Sequence, residues 1–196
     1  MLLLFLSNGK MLIKFDDGTP INLEQMLLAK EKRVENQNQA MICYKHPIIS
    51  LSLVIPGAIK NSSGARYLFD EAIKTLHHCF LQNDIAIINE DHYHYITGSE
   101  AIIAIKCSAN VLKKYCIDIE NNHPLGRLWD IDVIDIVTQK SLSRSQFDNK
   151  PRQCLVCHEI AKLCGRAKRH SIDEIFTAIE NKIEKFQQNK SDNNHC

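Results

Sequence analysis

The chain has 196 residues, 44% of them hydrophobic and 24% charged, which is enough to bury a proper core in one domain of ordinary soluble composition. With 24 Lys and Arg against 23 Asp and Glu the net charge is +1, which excludes a protein whose main business is gripping long nucleic acid. The apolar opening MLLLFL is too short for a signal-peptide core or a bilayer span, so no membrane partner is expected, and the default is a cytoplasmic protein whose eight cysteines are reduced thiols.

Residues 1–18 read as an N-terminal extension, with Met11 as an alternative start. Thr19 and Pro20 predict a helix cap and first helical residue, opening a helix that runs to about Tyr44. Ile48 to Ile55 is a mostly apolar, β-branched run, a strand that ends at Pro56 and Gly57. The loop to Gly64 then feeds a helix in which Ala65, Leu68, Phe69, Ala72, Ile73, Leu76, Cys79 and Phe80 keep three-and-four spacing. Short strands are predicted at 85–88, 93–97 and 101–107, then a helix striped by Val111, Leu112, Tyr115, Cys116 and Ile119, then a strand over Leu128 to Val137. Strand, helix, two or three strands, helix, strand predicts an α+β fold: a ferredoxin-like (split βαβ) or nucleotidyltransferase-like sheet with helices packed on one face. Residues 19–186 are expected to form a single catalytic domain whose part from 153 to 186 is helical. Ser171 and Glu174 make a capping box for its closing helix, and 187–196 form a polar, disordered tail.

The chemistry concentrates in HPLGRLWDIDVID, 123–135. Asp130 and Asp132 are two apart, so an extended strand points both carboxylates to one face while Trp129, Ile131 and Val133 point to the other. Burying carboxylates costs several kcal/mol unless cations, a metal or hydrogen bonds compensate them, so the pair asks for a partner. Mg²⁺ serving a phosphate substrate answers that need; the alternative is two strand-end carboxylates facing water. Asp135 falls on the opposite face and ranks below them. Arg127 is placed either to hold a phosphate or to neutralise the carboxylates, Gly126 allows close backbone approach, and His123 is either a general base or a turn residue before Pro124.

Cations follow directly. Between Lys140 and His170, the residues Lys140, Arg144, Lys150, Arg152, Lys162, Arg166, Lys168 and Arg169 stand against Asp148 and Glu159 alone. Upstream, Pro56 to Arg66 offers Lys60, Arg66 and small residues at a helix start, an anion cradle or an ordinary capped turn, without the GK[ST] ending of a P-loop. Cys154, Cys157, Cys164 and His170 suggest a Cys₃His zinc site. If 153–168 is one helix, however, Cys157 and Cys164 stand roughly 10 Å apart along it at about 1.5 Å per residue, too far to share an ion. On that reading zinc is not expected, and the three cysteines line one helical face as core or pocket wall. Zinc requires a break near Cys157. A non-catalytic zinc-binding or carrier-binding module is the competing functional class.

HPLGRLWDIDV at 123–133, with PGAIK at 56–60, LSR at 142–144, PRQCLVC at 151–157 and Cys164, Arg166 and His170, resembles the citrate lyase holo-[acyl-carrier-protein] synthase family, from about Ile21 to Phe186. The resemblance implies a nucleotidyltransferase-type transferase. Its donor would be 2′-(5″-triphosphoribosyl)-3′-dephospho-CoA, its acceptor a serine on the acyl carrier protein subunit of citrate lyase, and its by-product diphosphate. It further implies that Asp130 and Asp132 hold Mg²⁺ on the triphosphate, and that Arg127 with some of Lys60, Arg66, Arg144, Arg152 and Arg166 neutralises the leaving diphosphate. One of the two aspartates, or failing that His123, would deprotonate the serine.

Overall fold

A computed structural model describes residues 6–7, 10–11, 13–147 and 150–193. Two short strands, β1 (Leu6–Ser7) and β2 (Lys10–Met11), pair with each other, and the body follows as α1 (Leu23–Tyr44), β3 (Ile48–Leu53), α2 (Ser63–Gln82), β4 (Ala86–Tyr95), β5 (Gly98–Lys106), α3 (Ala109–Asn122), β6 (Trp129–Ile134), α4 (Ala161–Arg166) and α5 (Ile172–Asn193). The second sheet has the order β4-β5-β3-β6 with every neighbouring pair antiparallel. β3-α2-β4 and β5-α3-β6 are therefore two crossovers, each split by a strand of the other. This is the ferredoxin-like arrangement that the element order predicts.

Alternation along the strands divides the sheet into two unlike faces. Ile49 and Leu51, Ala101, Ile103 and Ile105, and Trp129, Ile131 and Val133 point to one side, where α2, α3 and α5 cover them with Leu68, Phe69, Leu76, Leu112, Cys116, Ile179 and Ile183. Trp129 is fully buried there, and its indole N–H donates to the Leu68 carbonyl at 3.0 Å. On the other side α1 covers a smaller apolar patch, packing Ala40 and Met41 on Ile48, Ile102, Ala104 and Ile134. Helices thus lie on both faces, although the two crossover helices share one.

Several boundaries differ from expectation, each for a local reason. α1 starts at Leu23, because Asn22 and Gln25 form a reciprocal capping box that Thr19 and Pro20 lack. The runs predicted at 85–88 and 93–97 merge into one strand, β4, which ends at Tyr95 before a turn at Ile96 and Thr97 and carries an irregularity between Ile87 and Asn89. Its polar middle looked like a turn, yet an edge strand tolerates polar residues while its ladder to β5 continues. The segment 153–168 is a hairpin followed by the six-residue α4, so it is not one helix. α5 continues to Asn193, where a disordered tail from 187 was expected, and Lys190 reaches buried Glu71 at 3.1 Å. Of the N-terminal extension, Phe15 is buried in the main core against Phe176, ring centroids 5.4 Å apart. MLLLFL lies outside the described residues except for Leu6. Among the described residues, no helix is long and apolar enough to cross a membrane.

Candidate active site

β6 is an edge strand, so the peptide groups of Ile131 have no strand to pair with on their outer side. Side chains of α3 take that place. Lys113 Nζ donates to the Ile131 carbonyl at 3.1 Å, and the Ile131 N–H donates to Glu120 Oε1 at 2.9 Å. Both side chains are almost fully buried. A buried carboxylate needs further compensation, and Glu120 obtains it from two arginines: Arg144 donates to Oε2 from Nε at 3.0 Å and from Nη2 at 2.7 Å, and Arg152 donates to Oε1. Arg152 also reaches Asp130 Oδ1 at 3.3 Å. The buried edge, Glu120, both arginines and Asp130 thus form one connected network.

Asp130 and Asp132 lie on one face of β6, opposite Trp129, Ile131 and Val133, as the spacing predicts. Burial and then the charge of Asp132 raise the Asp130 carboxyl above its ordinary value, against the lowering effect of Arg152. Asp132 is more exposed and accepts from the Ser141 hydroxyl at 3.0 Å. Asp130 lines one cavity, and Arg152, which it contacts, lines a second. The smaller, about 220 Å³, lies against α1 and is lined by Lys30, Arg33, Ser52, Lys60, Glu100 and Asp130 among others. Buried Glu100 accepts from Arg33 at 2.5 Å, and Lys60 Nζ donates to the Ile55 carbonyl at 2.5 Å.

The larger cavity, about 480 Å³, is formed by Asn121, Arg127, Arg144, Lys150, Pro151, Arg152 and Gln153. Arg127 donates from Nη2 to the Gln153 carbonyl, while its Nε is buried with no hydrogen-bond partner among the described residues. Burial, followed by the charges of Arg152 and Arg144, pushes the Arg127 guanidinium below its ordinary value. Cations held close enough to disfavour one another, with a buried donor unused, have the charge and the hydrogen-bonding capacity to take a polyanion.

Other residues singled out from the sequence stand elsewhere. His123 caps the C-terminal end of α3 and stacks on Trp129 at 4.5 Å, on the face of the sheet that α2, α3 and α5 cover. Its Nδ1 accepts from the Leu125 N–H at 3.1 Å, and burial lowers its pKa. The carboxylates occupy the opposite face, so His123 is a turn residue and not their partner. Gly126 approaches α3 closely: a Cβ there would stand 2.4 Å from the Ile119 carbonyl oxygen, so packing explains this glycine without any phosphate. The start of α2 is filled from within, because Ser62 Oγ accepts from Ala65, Asp17 from the Ser63 N–H at 2.8 Å, and Lys14 O from Gly64 at 2.7 Å. That overturns the anion-cradle reading of 56–66. Arg66 donates to Asn61 at 2.8 Å and lines neither cavity, and Arg166 is exposed on α4.

Cys154, Cys157, Cys164 and His170 do converge. Their ligand atoms all lie within 4.8 Å of one another, with Cys157 Sγ 3.5 Å from Cys164 Sγ and 3.3 Å from His170 Nε2. The geometric objection to a shared metal disappears with the helix on which it rested.

Sequence reading missed Glu120, Arg33 and Glu100. The signal for Glu120 was present: Lys113 and Glu120, seven apart, fall on the buried stripe of α3 beside Leu112, Cys116 and Ile119, where unpaired charge is not tolerated.

These features define a class: an α+β protein whose sheet sets two carboxylates on one strand face beside an arginine-lined cavity. The chain belongs to the apo-citrate lyase phosphoribosyl-dephospho-CoA transferase family, whose pattern matches residues 21–186. A Vibrio cholerae protein named probable apo-citrate lyase phosphoribosyl-dephospho-CoA transferase is 34% identical over 161 residues, covering 82% of this chain and 90% of that protein. The Escherichia coli O7:K1 apo-citrate lyase phosphoribosyl-dephospho-CoA transferase is 31% identical over 164 residues, covering 82% and 87%. Protein CitXG of Haemophilus influenzae is 37% identical over 164 residues; that match covers 84% of this chain but 35% of the relative's length. Membership of a transferase family does not favour the reading as a non-catalytic module.

Proposed function

We propose that this chain transfers the 2′-(5″-phosphoribosyl)-3′-dephospho-CoA group from its triphosphate precursor to a serine of the apo acyl carrier protein subunit of citrate lyase. Family membership and the relatives' names supply the group and its destination. The observation that carries the chemistry is the contact of Asp130 with Arg152, which joins the carboxylate pair to the arginine cavity.

In the reaction the serine oxygen bonds to the phosphorus nearest the ribose, the bond from that phosphorus to the outer two phosphates breaks, and diphosphate departs with its electron pair. Arg127, Arg144 and Arg152 hold the departing diphosphate by charge-assisted hydrogen bonds, with Lys150 adding positive charge at the rim. Glu120 keeps two of those guanidiniums in place before substrate arrives. One of the two aspartates accepts the serine proton, since His123 lies across the sheet. The donor set fits a hard divalent cation: two carboxylates on one strand face, one half-buried and one exposed, whose remaining ligands would be water and phosphate oxygens. Mg²⁺ bound there by Asp130 and Asp132 would offset charge on the triphosphate. Lys60, in the smaller cavity with Lys30 and Arg33, adds positive charge on that side for the donor, and the reaction takes place in the cytoplasm.

Incubating the chain with apo carrier subunit, triphosphate donor and Mg²⁺ is the test, read by intact mass of the carrier. A gain equal to the phosphoribosyl-dephospho-CoA group, with one diphosphate released per carrier, is expected. No mass gain with active donor and folded protein would remove the reading.

A further inference from the structure

The segment from Pro151 to His170 lacks what holds the rest of the molecule together. Cys164 is its only buried apolar side chain, while Val156, Ile160 and Leu163 are 38%, 39% and 51% exposed. A piece this small cannot order itself by burial alone and needs a staple. Its backbone is nonetheless closely organised. Gln153 and Ile160 form an antiparallel bridge, the Cys154 N–H donates to Glu159 O at 2.7 Å, and the Ala161 N–H donates to Arg152 O at 2.9 Å. This hairpin brings Cys154 and Cys157 to one side of its turn, and the Val156 N–H points at Cys154 Sγ from 3.5 Å. Cys164 then comes from α4, and a left-handed turn at Lys168, φ 45°, sends the chain back so that His170 meets Cys157.

We propose that Cys154, Cys157, Cys164 and His170 bind one structural zinc ion, and that this ion fastens Arg152 and Gln153 to the edge of β6. Three thiolates and an imidazole are the soft, borderline donor set that selects zinc, and four protein ligands leave no open position for catalysis. The spacing is near that of a tetrahedron: ligand atoms each about 2.3 Å from a central ion lie about 3.8 Å from one another, and here Cys157 stands 3.5 Å from Cys164 and 3.3 Å from His170, with all four ligand atoms within 4.8 Å. A disulfide does not account for the cluster. It would bring two sulfurs to about 2.05 Å, leave a third thiol over and give His170 no reason to converge.

The consequence for the neighbouring cavity follows from chain connectivity. Cys154 directly follows Gln153, whose carbonyl accepts from Arg127, and Arg152, which pairs with Glu120 and Asp130. Fixing the sulfur fixes two walls of the larger cavity. This second half of the inference rests on that cavity being the polyphosphate site, whereas the zinc half does not.

The experiment uses the full chain. After dialysis against metal-free buffer, elemental analysis should find one zinc per chain, and cobalt substitution should give the thiolate charge-transfer and intense visible bands of a tetrahedral site. Cys154→Ser and Cys164→Ser should lose the zinc, while His170→Cys should keep it and add thiolate intensity to the cobalt spectrum, which separates ligation from mere misfolding. Stripping the zinc should raise amide exchange across 151–170 and leave β3, β5 and β6 protected, and it should weaken inorganic triphosphate binding at least tenfold. Metal-free protein without cobalt bands, or bands unchanged in both serine variants, overturns the zinc site. Unchanged exchange across 151–170 on stripping overturns the fastening role. If zinc-loaded protein shows no triphosphate binding, the phosphate reading of the cavity falls and the zinc site stands.

Discussion

The two faces of β6 carry opposite tasks on alternate residues. Trp129, Ile131 and Val133 are at most 1% exposed and close the main core, while Asp130 and Asp132 point the other way beside Arg152 and Ser141. Six residues therefore hold the fold with one face and present charge with the other, because a pleated strand reverses its side chains at every step. The comparison teaches that damage to stability and damage to chemistry should separate cleanly between adjacent positions.

The strongest test of that separation is Trp129→Ala. Loss of a fully buried ring and of the hydrogen bond to Leu68 should lower unfolding free energy by about 3–5 kcal/mol, measured by urea titration. A loss below 1 kcal/mol would show that this face does not carry the core. On the other face Asp130→Asn and Asp132→Asn should reduce carrier modification about 10²–10³-fold, some 2.7–4 kcal/mol in the barrier, with the urea midpoint nearly unchanged. Wild-type turnover in both variants would break the comparison at its functional end.

Next in size is Arg127→Ala, which removes a cation from the arginine cavity and should weaken diphosphate binding by about 1.5–3 kcal/mol in calorimetry. Affinity equal to wild type would move the anion site elsewhere. The smallest effect concerns His123, on the apolar side. Burial holds its folded pKa below that of the unfolded chain, so the unfolded state takes up the proton first as pH falls through about 6.5. Its stabilising contribution is therefore complete above that pH and is lost below it. Urea titrations of His123→Gln across pH 5 to 8 should show a shallower decline on the acid side than wild type, and parallel curves would deny the effect.

Legibility followed periodicity. Alternation in Trp129–Ile134 and helical spacing in Ser63–Gln82 were readable because each residue's face depends only on local geometry. Where the backbone is irregular that rule has nothing to act on. One helix over 153–168 would keep the cysteines apart and a break would not, a choice that periodicity leaves open; a hairpin and a left-handed residue bring them together. Small residues at the start of α2 suggested a place for an outside anion, yet Asp17, 46 positions from Ser63, already supplies the carboxylate there.

From the amino-acid order alone came the α+β layout, the two-faced strand and the shared side of Asp130 and Asp132, all consequences of fixed repeat lengths along a short stretch of chain. Tertiary structure alone decided that Glu120 would bridge Arg144 and Arg152, that His123 would lie behind the sheet, and that Cys154, Cys157, Cys164 and His170 would meet. Those contacts depend on how an unpaired sheet edge is closed and how an irregular loop turns, and neither leaves a period in the sequence.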